Sequence, residues 1–143
     1  MIVWIIGSGG LLGSALVRAA HAHQHQVLTS RGVPWADSDA TVDAIARDAK
    51  TLSSELEEAH GSKPRWAIIW AAGHATTASS TDETHRELRT FKRCLTAIKE
   101  ELAKNHGGVL ALASSAGGVY AGSSNPPFDS KSEPTPLGAY GTL

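Results

Sequence analysis

The sequence predicts an α/β protein with a doubly wound parallel sheet, in which helices cover both faces to give three layers, α/β/α. Two observations predict this class. Nearly continuous apolar runs at 2–6, 66–72 and 108–114 are typical of strands that are buried on both faces. Segments with apolar residues at helical spacing alternate with these runs, as in repeated strand–helix–strand units. In such sheets, ligands bind beyond the carboxyl ends of the strands.

The first half of the chain contains one clear strand–helix–strand unit. The apolar run at 2–6 ends at a glycine, a helical apolar pattern follows, and a second short strand is predicted at 27–28. A weak third strand is predicted near 33–35, followed by a helix over 41–59. Parallel pairing of the first two strands is expected because a helix connects them.

The second half repeats the alternation of strands and helices. After the strand at 66–72, Ser80 and Glu83 have the spacing of a capping box and predict the start of a helix. A buried strand is predicted at 108–114, and residues 117–136 are rich in Gly, Ser and Pro and are expected to form a loop. The helix is expected to face the sheet with one apolar stripe, formed by Leu88, Phe91, Leu95, Ile98 and Leu102.

Composition and charge restrict the possible function classes. The 143 residues are enough for one domain with its own core. The 13 Lys and Arg residues against 14 Asp and Glu residues leave no charge excess that would favour binding to nucleic acid or to a membrane surface. Residues 2–17 are uncharged, but glycines interrupt them and they are shorter than the roughly 20 residues of a membrane span. We expect neither a signal peptide nor a membrane anchor.

The single cysteine, Cys94, cannot form a disulfide within the chain, which favours a reduced, cytoplasmic setting. It lies beside the predicted apolar stripe, so a core thiol is expected and not a nucleophile. No metal site is expected from the alternating histidines at 21–25, because that spacing spreads side chains around a helix axis. The tryptophans are expected to pack against the sheet: Trp4, Trp35, Trp66 and Trp70.

A glycine-rich turn, G-S-G-G-L-L-G, joins the first strand to the first helix. Gly7 allows a sharp turn, Gly10 lets the backbone approach a pyrophosphate, and Gly13 lets the helix pack closely on the strand. Free N–H groups at the start of the helix would then face phosphate oxygens. The turn predicts a dinucleotide site, with a purely structural turn as the alternative. The residues assigned to the cofactor here are Gly7, Ser8, Gly9, Gly10, Leu11, Leu12 and Gly13.

The end of the second strand indicates which dinucleotide is bound. An acidic residue at this position would bind the ribose hydroxyls of NAD, whereas this chain has Ser30 and Arg31. A guanidinium can bind a 2′-phosphate bidentately, so NADP is favoured over NAD. In the alternative interpretation, Arg31 is a solvated loop residue and Asp37 or Asp39 is the acidic ligand.

Four motifs in the same order resemble the short-chain dehydrogenase/reductase superfamily. They are the glycine turn, AAGH after the strand at 66–72, SSAGGVYAG after the strand at 108–114, and PLGAY at the end. They are most similar to its extended branch, the NAD(P)-dependent epimerase/dehydratase family, which acts mostly on nucleotide sugars. The resemblance covers the whole chain and implies a Rossmann-like fold. It also places small residues against the cofactor, namely Ala71, Ala72, Gly73 and Ser114.

The resemblance implies a catalytic pair. In the family, a tyrosine and a lysine form Y-x-x-x-K, and a serine follows the preceding strand; carried over, these residues are Tyr140 and Ser115. Position 144 would hold the lysine. Residues 1–143 are therefore expected to be the dinucleotide-binding portion of a longer protein, inactive without its substrate domain. Ser114 is an alternative donor, and packing of Tyr140 against Pro134 or Pro136 is the alternative for the tyrosine.

The expected function is hydride transfer at a carbinol or keto carbon, by an NAD(P)-dependent epimerase, dehydratase or reductase acting on a nucleotide sugar or a similar small molecule. The resemblance also implies a homodimer for the full-length protein. The alternative is a non-catalytic NAD(P)-binding regulator on the same fold. His74 is a candidate cofactor or substrate contact, and Glu87 stands where the family commonly has an asparagine.

Overall fold

The computed structural model describes residues 1–59 and 65–142. Strands and helices alternate along most of this length, as the sequence predicts. The elements are β1 (Ile2–Ile6), α1 (Leu11–Ala22), β2 (Gln26–Thr29), α2 (Ser38–Glu58), β3 (Trp66–Trp70), α3 (Thr81–Glu101), β4 (Gly108–Leu112), α4 (Ala116–Val119) and α5 (Ala139–Thr142).

The four strands form one sheet in the order β2-β1-β3-β4, and every pair is parallel. Helices flank this sheet, so the mixed α/β class with a parallel sheet is confirmed. Val3 pairs with Val27 on one side and with Ala67 on the other. All five residues of β1 are buried, which explains why this strand is apolar at consecutive positions instead of alternating.

The side chains of β1 divide between two hydrophobic clusters, because successive residues of a strand point to opposite faces. Val3 and Ile5 belong to a smaller cluster with Ala20, against which Leu16 and Val17 of α1 pack. The larger cluster contains the other three residues of β1 and side chains of α2 and α3. Its members from these three elements are Ile2, Trp4, Ile6, Ile45, Ala49, Leu52, Leu56, Cys94 and Ile98.

The described chain divides into two compact units. The first contains Met1–Gly73 and Thr90–Ala113, and it holds the sheet. The second contains His74–Arg89 and the described residues from Ser114 onward.

Two predicted features of the strands are wrong. No strand forms at 33–35, because this segment makes a turn in which the amide of Asp37 donates to Pro34 O at 2.9 Å. Pro34 has no N–H for a strand ladder. The strand β4 exists but is not buried: Val109 is 60% exposed and Leu112 is 53% exposed. Among the described residues, β4 is an edge strand that pairs only with β3, and its residues belong to neither cluster.

The starts of two helices follow from local hydrogen bonds. The capping box of α3 is confirmed: Ser80 N donates to Glu83 Oε2 at 2.8 Å, and Glu83 N donates to Ser80 Oγ at 3.3 Å. The bonds from the Ser80 amide and hydroxyl lower the pKa of the Glu83 carboxyl. Helix α2 begins three residues earlier than predicted because the Asp37 carboxylate caps it, accepting from Asp39 N and Ala40 N. Within residues 1–59 and 65–142, none of the helices combines the length and apolar character needed to cross a membrane.

Cys94 is buried in the core, and burial raises the pKa of its thiol from an ordinary 9.0 to about 11. We expect a thiol reagent at pH 8 to modify the folded chain roughly 100-fold more slowly than the chain in denaturant. The reagent attacks the thiolate, and a pKa of about 11 leaves roughly 100-fold less thiolate at pH 8 than a pKa of 9.0. The unfolded thiol ionises first, so the free energy of unfolding should fall as pH rises from 9 to 11. Equal modification rates in the two states would contradict this prediction.

Candidate functional site

The turn after β1 requires glycine at its first position. Gly7 has a φ of +87°, and a Cβ there would lie 2.6 Å from Ala72 N and 2.8 Å from the carbonyl carbon of Ala71. The backbone following β3 therefore fills the space that a side chain would need. This close approach brings Ala71 and Ala72, two of the predicted cofactor contacts, against the glycine turn.

The start of α1 packs directly on this turn. A Cβ on Gly13 would collide with the carbonyl oxygen of Gly7 and would lie 2.8 Å from Ser8 Cα. Gly13 therefore allows the start of α1 to lie close to the turn, whereas its predicted role in packing the helix on the strand stays a prediction. At Gly10 the nearest atom to an added Cβ is Gly7 O at 3.5 Å, and at Gly9 nothing lies within 4 Å. The protein itself does not need glycine at these two positions.

Most amides of the turn have no acceptor in the part of the chain that the structure describes. Gly10 N donates to Gly7 O at 3.1 Å, and no side chain caps α1. Within residues 1–59 and 65–142, no acceptor is found for the amides of Ser8, Gly9, Leu11, Leu12 and Gly13. The Leu11 side chain is 93% exposed. The positive end of the α1 dipole adds to these donors, so the turn can bind an anion.

A groove of about 410 Å³ connects the glycine turn to the end of β2. The two segments that the sequence assigned to the cofactor are thus brought together. Ser30 is 8% exposed, and its Oγ accepts a hydrogen bond from Trp4 Nε1 at 2.9 Å. The residues lining the groove are Gly7, Ser8, Gly9, Ser30, Arg31, Gly32, Val33 and Trp35.

Arg31 is the charged side chain of the groove. It is exposed, and no acidic partner for it is found in the described part of the chain. The two acidic alternatives are engaged elsewhere: Asp37 caps α2, and Asp39 Oδ1 forms an ion pair with Arg93 Nη1 at 2.8 Å. Neither acid lines the groove.

Residues 71–73 continue the main chain beyond β3. Ala71 N donates to Ile6 O at 2.9 Å, and the Trp70 indole N–H donates to Ala72 O at 2.8 Å. Ala71 and Ala72 are half-buried, whereas Gly73 is exposed. The alanines are therefore held in place from both sides, while Gly73 ends the first unit.

The second unit contains the predicted catalytic pair. Ser115 is the N-cap of α4, and its Oγ accepts a hydrogen bond from Gly118 N at 3.3 Å. A Cβ on Gly118 would lie 3.0 Å from two ring carbons of Tyr140, so the tyrosine ring covers this glycine. Gly118 thus contacts both predicted catalytic side chains. Ser114 is exposed.

Tyr140 is half-buried, and its helix α5 also packs closely on α4. A Cβ on Gly141 would collide with Gly118 O and would lie 2.9 Å from Pro136 Cβ. This proline contact is made by Gly141, and the predicted alternative, packing of Tyr140 against Pro134 or Pro136, stays a prediction. The loop before it contains a stacked pair, Tyr120 and Phe128, whose ring centroids are 4.6 Å apart.

Two features of the candidate residues were not predicted from the sequence. Trp35 packs against Trp70 of β3, in agreement with its expected packing on the sheet, but it is also 47% exposed and lines the groove. Glu87 binds backbone: its Oε2 accepts from Ala75 N at 2.7 Å, and both carboxylate oxygens accept from His74 N at 3.1 Å. The sequence singled out Glu87 because it stands where the family commonly has an asparagine, but nothing in the sequence indicated its hydrogen bonds to the amides of His74 and Ala75.

The described part of the chain contains no group of three or more His, Cys, Asp and Glu side chains positioned to hold a metal ion. The chain matches no protein-family model, and no curated protein is similar to it in sequence.

Proposed function

We propose that the first unit is a Rossmann-like dinucleotide-binding domain, doubly wound in three layers, which binds NADP in the groove between the glycine turn and the end of β2. The division of the β1 side chains between two helix-lined clusters supports the layer arrangement. One observation carries the proposal of a ligand: unpaired amides and an unpaired guanidinium, within the described residues, belong to the same groove.

The pyrophosphate would be held by main-chain N–H groups at residues 8–13. Phosphate oxygens are suited to this position because the amides and the helix dipole are both positive there. The open space at Gly9 and Gly10 supports close approach of a ligand to the backbone. The turn therefore fits an anionic ligand that contacts the main chain directly.

The adenosine end would carry a 2′-phosphate, bound by Arg31. A guanidinium pairs bidentately with phosphate, and the engagement of Asp37 and Asp39 elsewhere leaves the groove without a carboxylate. A carboxylate at this position would repel the phosphate and would favour NAD. NADP is the favoured cofactor for this reason.

We further propose that the protein is an enzyme of the extended short-chain dehydrogenase/reductase type, acting on a nucleotide sugar or a similar carbinol. The bound dinucleotide supplies or accepts the hydride. Tyr140 would exchange the proton of the reacting oxygen as general acid or base, and Ser115 would donate a hydrogen bond to that oxygen. Gly118 supports this pairing because it contacts both side chains within the second unit.

A non-catalytic NADP-binding regulator is the second candidate. Glu87 favours it, because the carboxylate at the position of the family's asparagine is engaged with the amides of His74 and Ala75. The two candidates differ in what Tyr140→Phe does if the chain continues with lysine at position 144. In the enzyme, turnover is lost and NADPH affinity is kept; in the regulator, neither property changes.

Titration with NADPH tests the binding proposal directly. We expect NADPH to change the tryptophan fluorescence of the chain saturably, and more strongly than NADH at equal concentration, because Trp35 lines the groove. Calorimetry on the same samples gives the two dissociation constants. Absence of binding by either dinucleotide at millimolar concentration would overturn the proposal.

A further inference from the structure

We propose that Trp35 is the stacking surface for the adenine base of the dinucleotide, in the same groove as Arg31, which would bind the 2′-phosphate. The inference rests on the proposed NADP site and adds a specificity-determining residue to it. Its basis is the position, the exposure and the support of one aromatic side chain.

Trp35 presents the aromatic surface of a groove that is otherwise lined by glycines, polar groups and Val33. The side chain is 47% exposed, and its neighbours along the groove include Arg31 and Gly32. The part of the indole that stays in water lacks the stabilisation of about 25 cal/mol per Å² that burial of apolar surface gives. A flat ligand ring that covers the indole would recover this contribution.

Other aromatic rings hold the Trp35 side chain. Its ring lies against that of Trp70 with centroids 6.4 Å apart at an interplanar angle of 75°. Trp70 in turn packs edge-on against Phe91 at 4.8 Å, and its indole N–H is bonded to Ala72 O. A ring supported in this way loses little conformational freedom when a base stacks on it.

The backbone of Trp35 is fixed as well. Its amide donates to Val33 O at 3.0 Å, and the carbonyl of the preceding Pro34 accepts from the Thr41 hydroxyl at 2.9 Å. Thr41 is fully buried in α2. The loop that presents the indole is therefore anchored to a core helix and is already ordered for binding.

The chemistry of the groove specifies a base joined to an anion. An aromatic face binds any planar base by stacking, and the guanidinium of Arg31 binds phosphate. The volume of about 410 Å³ is within the usual range of roughly 300–1,000 Å³ for small-molecule sites. Adenosine 2′,5′-bisphosphate carries the base and both phosphates without the nicotinamide, and it is the smallest probe of this half-site.

The test compares three ligands by calorimetry: NADPH, adenosine 2′,5′-bisphosphate and reduced nicotinamide mononucleotide. Trp35→Ala should weaken binding of the first two by about 5- to 150-fold, the range of base–aromatic stacking. Trp35→Phe should change their affinity by less than about threefold, because the aromatic face remains. Neither variant should affect the mononucleotide, which has no adenine.

Two further variants separate stacking from folding. Trp35→Leu keeps an apolar side chain but removes the π face, so it should weaken the binding of adenine nucleotides as Trp35→Ala does. Trp66→Phe alters a half-buried tryptophan outside the groove, and it should leave all three affinities unchanged. Thermal unfolding of each variant shows whether the fold is intact.

The outcomes distinguish this inference from the proposed function. If the wild type binds NADPH and Trp35→Leu or Trp35→Ala binds it equally well, stacking is wrong and the NADP site stands. If the wild type binds adenosine 2′,5′-bisphosphate but not NADPH, the base and phosphate assignment stands and the dinucleotide function fails. If neither ligand binds, both proposals are wrong.

Discussion

Gly13→Ala is expected to weaken NADPH binding by about 100-fold or more. The new methyl group would collide with the Gly7 carbonyl, so α1 must move away from the turn. Two or more amides would then lose the phosphate oxygens, and each hydrogen bond to a charged group contributes about 1.5–3 kcal/mol. Alanine has a higher helix propensity than glycine by about 1 kcal/mol, so helix content by circular dichroism should not fall.

Gly138→Ala is the matched control for this substitution. It adds the same methyl group at a glycine where nothing lies within 4 Å of the new Cβ, and we expect unchanged NADPH affinity. Calorimetry gives both dissociation constants, and thermal unfolding shows whether Gly13→Ala remains folded. A folded Gly13→Ala protein that binds NADPH as tightly as the wild type would show that the turn does not hold the pyrophosphate.

Arg31→Ala is expected to remove the preference for NADPH over NADH. A charge-assisted pair between guanidinium and phosphate contributes about 1.5–3 kcal/mol, so NADPH affinity should fall about 10- to 100-fold at low salt while NADH affinity stays unchanged. Arg31 is exposed, so the difference in NADPH affinity between the wild type and Arg31→Ala should shrink as ionic strength rises. Parallel titrations with both dinucleotides measure the preference.

Arg93→Ala is the control for loss of an arginine. Its guanidinium pairs with Asp39 and does not line the groove, so the preference for NADPH should survive. Asp39→Asn tests the alternative in which Asp39 binds the ribose hydroxyls of NAD. In that case the substitution would weaken NADH binding. Equal affinities of the wild type for NADPH and NADH would defeat the argument from Arg31.

The sequence was sufficient for some features that depend on neighbours along the chain, although it missed the local Asp37 cap of α2. The capping box at Ser80 and Glu83 is confirmed because its hydrogen bonds span three residues. The close contact of Gly13 with Gly7 and Ser8 likewise joins residues that are near in the sequence. At these positions, local geometry was readable from spacing.

Features that depend on neighbours across the fold were missed. An apolar run indicates a strand but does not indicate what covers it, and so the burial predicted for β4 is wrong. The position of Trp35 in the groove depends on its packing against Trp70, which is 35 positions away in the sequence. Contact between Gly118 and Tyr140 likewise depends on the return of a loop. Periodicity carries no information about these contacts.

The position of β4 at the edge of the sheet affects the colloidal behaviour of the chain. Its exposed apolar side chains, Val109 and Leu112 among them, stand beside main-chain groups on the side away from β3, where a strand of another molecule can add by hydrogen bonding. The net charge of −1 provides little repulsion between molecules. At high concentration, association of molecules through β4 is therefore expected to contribute to loss of the chain from solution.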